Sequence, residues 1–229
     1  MRLRRFSLAS ILLATSACLA ADLTELECRW LAGARPVIAF ARAEKLPLDI
    51  VVQPQPTPGA APLALAFVEG RCKLVLSMRG NPEAQATLDR LAPALRNLTL
   101  ELMAAHELAH CRRYVDGAWT ALPAGFAAPG VPRGLPADTQ AAYLDMQATR
   151  REEGFADLAG LAWIQQRHPQ HYATLYAWLV RERSKELIAG SHHDTLAWLK
   201  LAQDGAVLAH ASIFAAAARL WPAGLADED

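Results

Sequence analysis

His106-Glu107-Leu108-Ala109-His110 places two imidazoles and a carboxylate within five residues. Four residues along an α-helix turn through about 400°, so His106 and His110 fall within roughly 40° of one another and can reach one metal ion together. Glu107 projects to the side, where it can touch a water on the metal without ligating the metal itself. Zinc hydrolysis divides its labour in this way: neutral imidazoles hold the ion, an open position holds water, and a carboxylate takes the water's proton. The two histidines alone are an incomplete site. A third protein ligand must come from elsewhere in the chain.

The candidate lies in Arg150-Arg151-Glu152-Glu153-Gly154-Phe155-Ala156-Asp157. Glu153 and Asp157 are four residues apart and share a helical face. If their helix packs antiparallel to the motif helix, Glu153 supplies the third ligand. Asp157 then accepts a hydrogen bond from the outer nitrogen of a metal-bound histidine, expected to be His106, which fixes the tautomer of that ring. Gly154 and Ala156 remove bulk where the two helices would approach. The competing reading makes Glu152 and Glu153 surface ion-pair partners of Arg150 and Arg151; the spacing to Asp157 favours the site.

His106-Glu107-x-x-His110 followed by Glu153-x-x-Ala156-Asp157 resembles the gluzincin zinc metallopeptidases, nearest the HtpX-like and CAAX-protease-like group. The resemblance covers roughly residues 93 to 165. It implies His106, His110 and Glu153 as zinc ligands, Glu107 as general base and Asp157 as the supporting carboxylate. The metzincin pattern fails, because it needs Gly at position 113 and His at 116, where this chain has Arg113 and Asp116. Ser191-His192-His193-Asp194-Thr195 is similar to the histidine-containing loop that follows the ligand helix in these peptidases. It makes His193, or its neighbour His192, a further catalytic candidate, either stabilising an oxyanion or filling the open position at rest. The HtpX-like enzymes carry membrane helices that this chain lacks, so a membrane-protein substrate is not implied. His168, His171 and His210 are left without a role.

These residues need elements to hold them. Leu95, Leu98, Leu102, Ala105 and Ala109 recur at helical spacing and predict a motif helix over Pro93 to Tyr114. Upstream, Leu23 to Glu44 reads as a helix in which Pro36 predicts a kink or break. Leu48 to Val52, Leu63 to Val68 and Cys72 to Met78 read as short strands, the last two joined through Glu69-Gly70-Arg71, and Cys72 to Met78 is expected as an edge strand beside the cleft. Asn81-Pro82-Glu83 is a helix start, and Pro93 ends that helix. Downstream, glycine- and proline-rich Val115 to Pro136 reads as a long loop, after which Asp138 is expected to cap the ligand helix. Helices are then predicted at Gln170 to Arg183, Thr195 to Gln203 and Val207 to Leu220, with Trp163, Tyr172, Tyr176, Trp178, Trp198, Phe214 and Trp221 as packing residues. The fold class is α+β and helix-dominated: a small three-stranded sheet packed on the active-site helix, then a helical C-terminal half.

The chain has 229 residues, 53% of them hydrophobic, with 23 basic against 23 acidic groups. That length is enough for one compact domain with a substantial core. No basic stripe calls for nucleic acid. Arg2, Arg4 and Arg5 precede the apolar run Leu8 to Leu13 and small residues through Ala21, the pattern of a signal peptide over 1–20. A domain over 21–229 follows, exported to the periplasm or secreted, and a lipid anchor at Cys18 is the lesser alternative. Loss of the three arginines leaves 20 basic groups against 23 acidic ones, a net charge of −3. No later apolar run reaches the length of a transmembrane helix. In an oxidising compartment two of Cys28, Cys72 and Cys111 are expected to join and one to remain, all three pairings being open. Cys111 points about 100° around the helix from His110 and is not read as a ligand.

The expected activity is hydrolysis of a peptide or protein substrate with Zn2+ as cofactor and Glu107 moving the proton. The alternatives are a non-catalytic periplasmic zinc-binding assembly factor, contacting a partner through its helical surface and the acidic tail Asp227-Glu228-Asp229, and a zinc hydrolase of a cell-wall amide.

Overall fold

A computed structural model describes residues 23–128, 130–185, 190–210 and 212–226. The expected signal peptide, Cys18 and the acidic tail fall outside these residues. Among those described, the elements are α1 (Glu25–Ala43), β1 (Leu48–Pro54), β2 (Leu63–Val68), β3 (Arg71–Arg79), α2 (Pro82–Asp89), α3 (Arg96–Val115), α4 (Ala137–Arg167), α5 (Tyr172–Arg183), α6 (Leu196–Leu201) and α7 (Ile213–Ala226). Short 3-10 turns at Pro93–Leu95, Pro169–His171 and Gly205–Leu208 connect them. The fold is α+β with helices dominant, as the periodicity predicts. No described helix is long and apolar enough to cross a membrane.

Local signals explain most boundaries. Thr24 caps α1 through a reciprocal pair of hydrogen bonds with Glu27, and Asn81 accepts from Glu83 N to open α2 with Pro82 in its first turn. Pro36 does not break α1. Its exposed position lets water take the hydrogen bond that its missing N–H cannot make. Asp138 is not the cap of α4: the helix begins at Ala137, and Pro136 stands at the cap with no side-chain hydrogen bond. The predicted helix over Val207 to Leu220 divides in two, because Ser212 Oγ accepts from Ala215 N and opens a fresh helix there.

The sheet has the order β1-β3-β2, with β1 parallel to β3 and β2 antiparallel to it. Glu69 (φ 51°) and Gly70 (φ 74°) form the tight β2–β3 turn in left-handed backbone. The expected edge strand is therefore corrected: Cys72 to Met78 lies in the central strand β3, and β2 holds the edge. β3 pairs on both sides because β1 joins it across the long connection from Pro54, a pairing with no local sequence signal. Burial follows this placement, with Cys72, Leu74 and Leu76 inaccessible on β3.

The helical core packs around α3 and α4. Four contacts fix them as antiparallel: Glu101 with Trp163, His106 with Asp157, His110 with Glu153, and Arg113 with Glu152. They pack tightly at Gly160, where an added Cβ would stand 3.1 Å from the Leu102 carbonyl oxygen. Gly154, expected to relieve this same contact, instead faces α6, where a Cβ would meet the Trp198 ring at 2.3 Å. Trp30, Trp163 and Trp198 are fully buried, and each indole N–H has an acceptor: Ala84 O, Glu101 Oε2 and Trp221 O. A disulfide between Cys72 and Cys111 ties β3 to α3, and Cys28 is free and exposed.

Candidate metal centre

α3 carries His106, Glu107 and His110 along a cleft of about 490 Å³. The edge strand β2 lines it through Leu63 and Leu65, and α5 lines it through Trp178 and Arg183. Trp178, expected as a packing residue, packs half-buried against the core and also faces the cleft. α4 crosses behind α3 and brings Glu153 and Asp157 to the two histidines.

His106, His110 and Glu153 form a buried group whose ligand atoms all lie within 4.8 Å of one another, and such a group can hold a metal ion. His106 Nε2 stands 3.2 Å from His110 Nε2 and 3.2 Å from Glu153 Oε2, and His110 Nε2 stands 3.3 Å from Glu153 Oε1. Asp157 Oδ1 lies 2.9 Å from His106 Nδ1. Arg183 and the Thr195 hydroxyl donate to the same carboxylate. So engaged, Asp157 acts as an acceptor of Nδ1–H, which turns His106 Nε2 toward the other donors, as a lone pair whenever the ring is neutral. Lone pairs crowded together in a buried space repel one another unless a proton or a cation lies between them.

The electrostatics favour a cation. Burial disfavours a charged His106 ring, yet the carboxylates of Glu153 and Asp157 outweigh it and raise the imidazole to about 10. Burial likewise opposes ionisation of Glu153, but His106 and His110 hold its carboxyl well below the ordinary range. Asp157 is held low against its burial chiefly by the Arg183 guanidinium. Glu107 behaves differently: burial pushes its carboxyl up, with the two histidines partly offsetting the rise. It takes no hydrogen bond or ion pair from another described residue, which leaves it available to a water or substrate in the cleft. His110 Nδ1 is buried without a partner. That ring is held instead by packing, edge to face with Trp119 at 5.5 Å. Trp119 stacks on Tyr114 at 4.0 Å and Tyr114 on Phe67 at 5.0 Å, an aromatic stack reaching from the edge strand to the histidine.

Every candidate residue from the two motifs meets at this place. Glu152 and Glu153 do not form the alternative pairs with Arg150 and Arg151. Glu152 is buried in a bidentate pair with Arg113 at 2.8 Å, and its Oε1 also accepts from Thr120 N. His193 lines the cleft, half exposed, with Nε2 3.8 Å from Glu153 Oε2. Burial and the nearby Arg183 lower its pKa. His168 pairs with Glu101 at 3.0 Å, away from the centre.

Arg183 has no counterpart in the sequence reading. Its Nε and Nη2 donate to the two oxygens of Asp157 at 2.8 and 2.7 Å, and Nη2 reaches Glu153 Oε2 at 3.4 Å. A basic residue in the last turn of a helix is ordinarily a solvated partner of the helix dipole, and no spacing relates it to either motif. Thr195 likewise carries no signal beyond that of a polar helix start. No family model, curated protein or solved structure matches this chain.

Proposed function

We propose that the protein is an exported zinc metallopeptidase of gluzincin type. The observation that carries this reading is the convergence of His106 Nε2, His110 Nε2 and the Glu153 carboxylate in an open cleft, with Asp157 on the outer nitrogen of His106. Two histidines and a glutamate are a donor set of catalytic zinc sites. Donors about 2.0–2.1 Å from a tetrahedral ion stand roughly 3.3 Å apart, and the two Nε2 atoms here are separated by 3.2 Å. Charge agrees: Glu107, Glu153 and Asp157 against Arg183 leave two negative charges that a divalent ion neutralises.

When bound, zinc supplies Lewis acidity to a substrate carbonyl and to a water molecule. Glu107, whose burial makes it a stronger base than an exposed carboxylate, accepts the proton of the attacking water and passes it to the departing amine. Water oxygen bonds to the carbonyl carbon, and the carbon–nitrogen bond breaks. His106 is kept in the ligating tautomer by Asp157, and His110 is oriented by Trp119. The cleft runs along α3 from Leu102 to Tyr114, about 18 Å at 1.5 Å per residue, the span of five or six extended peptide residues. The Cys72–Cys111 disulfide supports export, because such bonds persist in oxidising compartments.

The test is metal analysis and peptide hydrolysis by the mature protein beside Glu107→Gln. Near one zinc per chain in both, with hydrolysis abolished only in the variant, is the expected result. Hydrolysis that survives the substitution overturns the catalytic assignment, and absence of bound zinc in both overturns the metal.

A further inference from the structure

Arg183 presents the cleft with a fixed cation that the proposed chemistry has not used. The guanidinium is planar with two edges. One edge, Nε and Nη2, is committed to Asp157, with Nη2 also near Glu153. Nη1 donates to no described group, yet it is not among the sealed, unpartnered atoms of the interior. Arg183 lines the cleft, its side chain is 15% exposed, and Nη2 lies one contact from an oxygen that itself faces His106 Nε2 at 3.2 Å. The bidentate grip on a fully buried aspartate removes the rotamer freedom that an arginine normally has, so the remaining N–H groups have a fixed direction.

The geometry points to Arg183 as a catalytic residue whose Nη1 donates a hydrogen bond to the substrate carbonyl oxygen as it gains negative charge. The inference rests on the hydrolase reading and deepens it. Arg183 keeps its proton throughout: it neither gives nor takes one, and the only bonds made and broken are those of the hydrolysis itself. His193, the candidate for this role from sequence, is less suited. It is half exposed and not held by a carboxylate pair. A donor that is fixed before the reaction gains most where charge develops, and loss of one such donor typically costs about 10²–10³ in rate.

Arg183→Lys separates this role from a purely structural one. Lysine keeps the positive charge, and its single ammonium can still pair with Asp157, so the packing of α5 and the charge of the centre are retained. It lacks a second nitrogen to aim at substrate. Two ligands would be titrated against zinc-loaded protein: acetohydroxamate, which is planar, and N-phosphoryl-leucinamide, whose tetrahedral anion mimics the addition intermediate. In Arg183→Lys the expected result is unchanged zinc affinity, acetohydroxamate binding within about twofold, and phosphoryl-ligand binding weakened about 10- to 100-fold, with kcat for peptide hydrolysis falling while KM holds. Phosphoryl-ligand binding that is unchanged in Arg183→Lys, or loss of zinc in step with loss of ligand, overturns the assignment and leaves Arg183 as a tether for Asp157. Failure of both ligands to bind the unsubstituted zinc-loaded protein overturns the hydrolase reading beneath it. Should Arg183→Lys not fold, Arg183→Gln carried through the same titration decides by the same ratio of the two affinities.

Discussion

His106 and Asp157 are 51 residues apart in sequence and 2.9 Å apart at Nδ1 and Oδ1, across the antiparallel pair α3 and α4. This contact does two things at once. It chooses which nitrogen of His106 faces the cleft, and it fixes the axial register of the ligand helix against the motif helix. Arg183 and Thr195 complete the coordination of the aspartate, so α5 and the start of α6 are tied to the same carboxylate as α3.

Replacing Asp157 with Asn keeps the shape but allows the amide to face His106 with its NH2 group, which disfavours the ligating tautomer. Loss of such supporting partners typically weakens metal binding about 10- to 100-fold. Competition against a chelator of known affinity should show that loss, and equal zinc affinity in the variant would remove Asp157 from the site.

Gly154 predicts the sign of a substitution on which two effects disagree. Alanine in a helix interior is favoured over glycine by roughly 0.5–1 kcal/mol. Here the new Cβ would stand 2.3 Å from Cδ2 of Trp198, a fully buried ring whose Nε1 is anchored on Trp221 O. Overpacking of this kind costs about 1–3 kcal/mol, so the steric term wins. Thermal unfolding of Gly154→Ala should show a midpoint lowered by about 2–8 °C; a raised midpoint would mean that Trp198 can move.

The Cys72–Cys111 bond closes a segment with a sequence separation of 39. In the chain-entropy picture a loop of that size contributes about 4 kcal/mol by restricting the unfolded chain. The paired substitution Cys72→Ala with Cys111→Ala should lower the urea midpoint accordingly, whereas Cys28→Ala, exposed and unpaired, should leave it in place.

Acid sensitivity should trace in part to Glu27. Hydrogen bonding from Arg79 holds this buried carboxyl below its ordinary 4.5, against the opposing effect of burial. A depressed folded-state value means that the contribution is fully present above roughly pH 5 and drains away as pH falls through the folded-state value. Stability measured from pH 6 to 3 should fall less steeply in Glu27→Gln than in the unsubstituted chain, although the variant starts lower. Parallel curves would show that Glu27 titrates normally.

The candidate metal centre is legible in the sequence because its signals are local. Four-residue spacing puts His106 with His110 and Glu153 with Asp157 on common faces, and only the antiparallel docking of two long helices had to be supplied. The same holds for Asn81 with Pro82 and for the Glu69-Gly70 turn, whose residue types state their backbone. What stayed hidden was set by distant neighbours. Cys72 to Met78 is central rather than the expected edge because the parallel β1–β3 pairing spans a connection that carries no pattern. Gly154 meets Trp198 rather than α3, because smallness says that something approaches, not what. Arg183 resembled any helix-ending basic residue, and only a fold that returns α5 across α4 reveals its place.

The covalent link at Cys111 sits one residue after His110 and anchors that end of α3 to the middle strand. Material made in a reducing cytoplasm would therefore reach the bench with α3 unstapled, and a blank assay from it would describe the expression host rather than the protein. Producing the chain where thiols are oxidised, and counting free sulfhydryls before any assay, becomes part of measuring its chemistry.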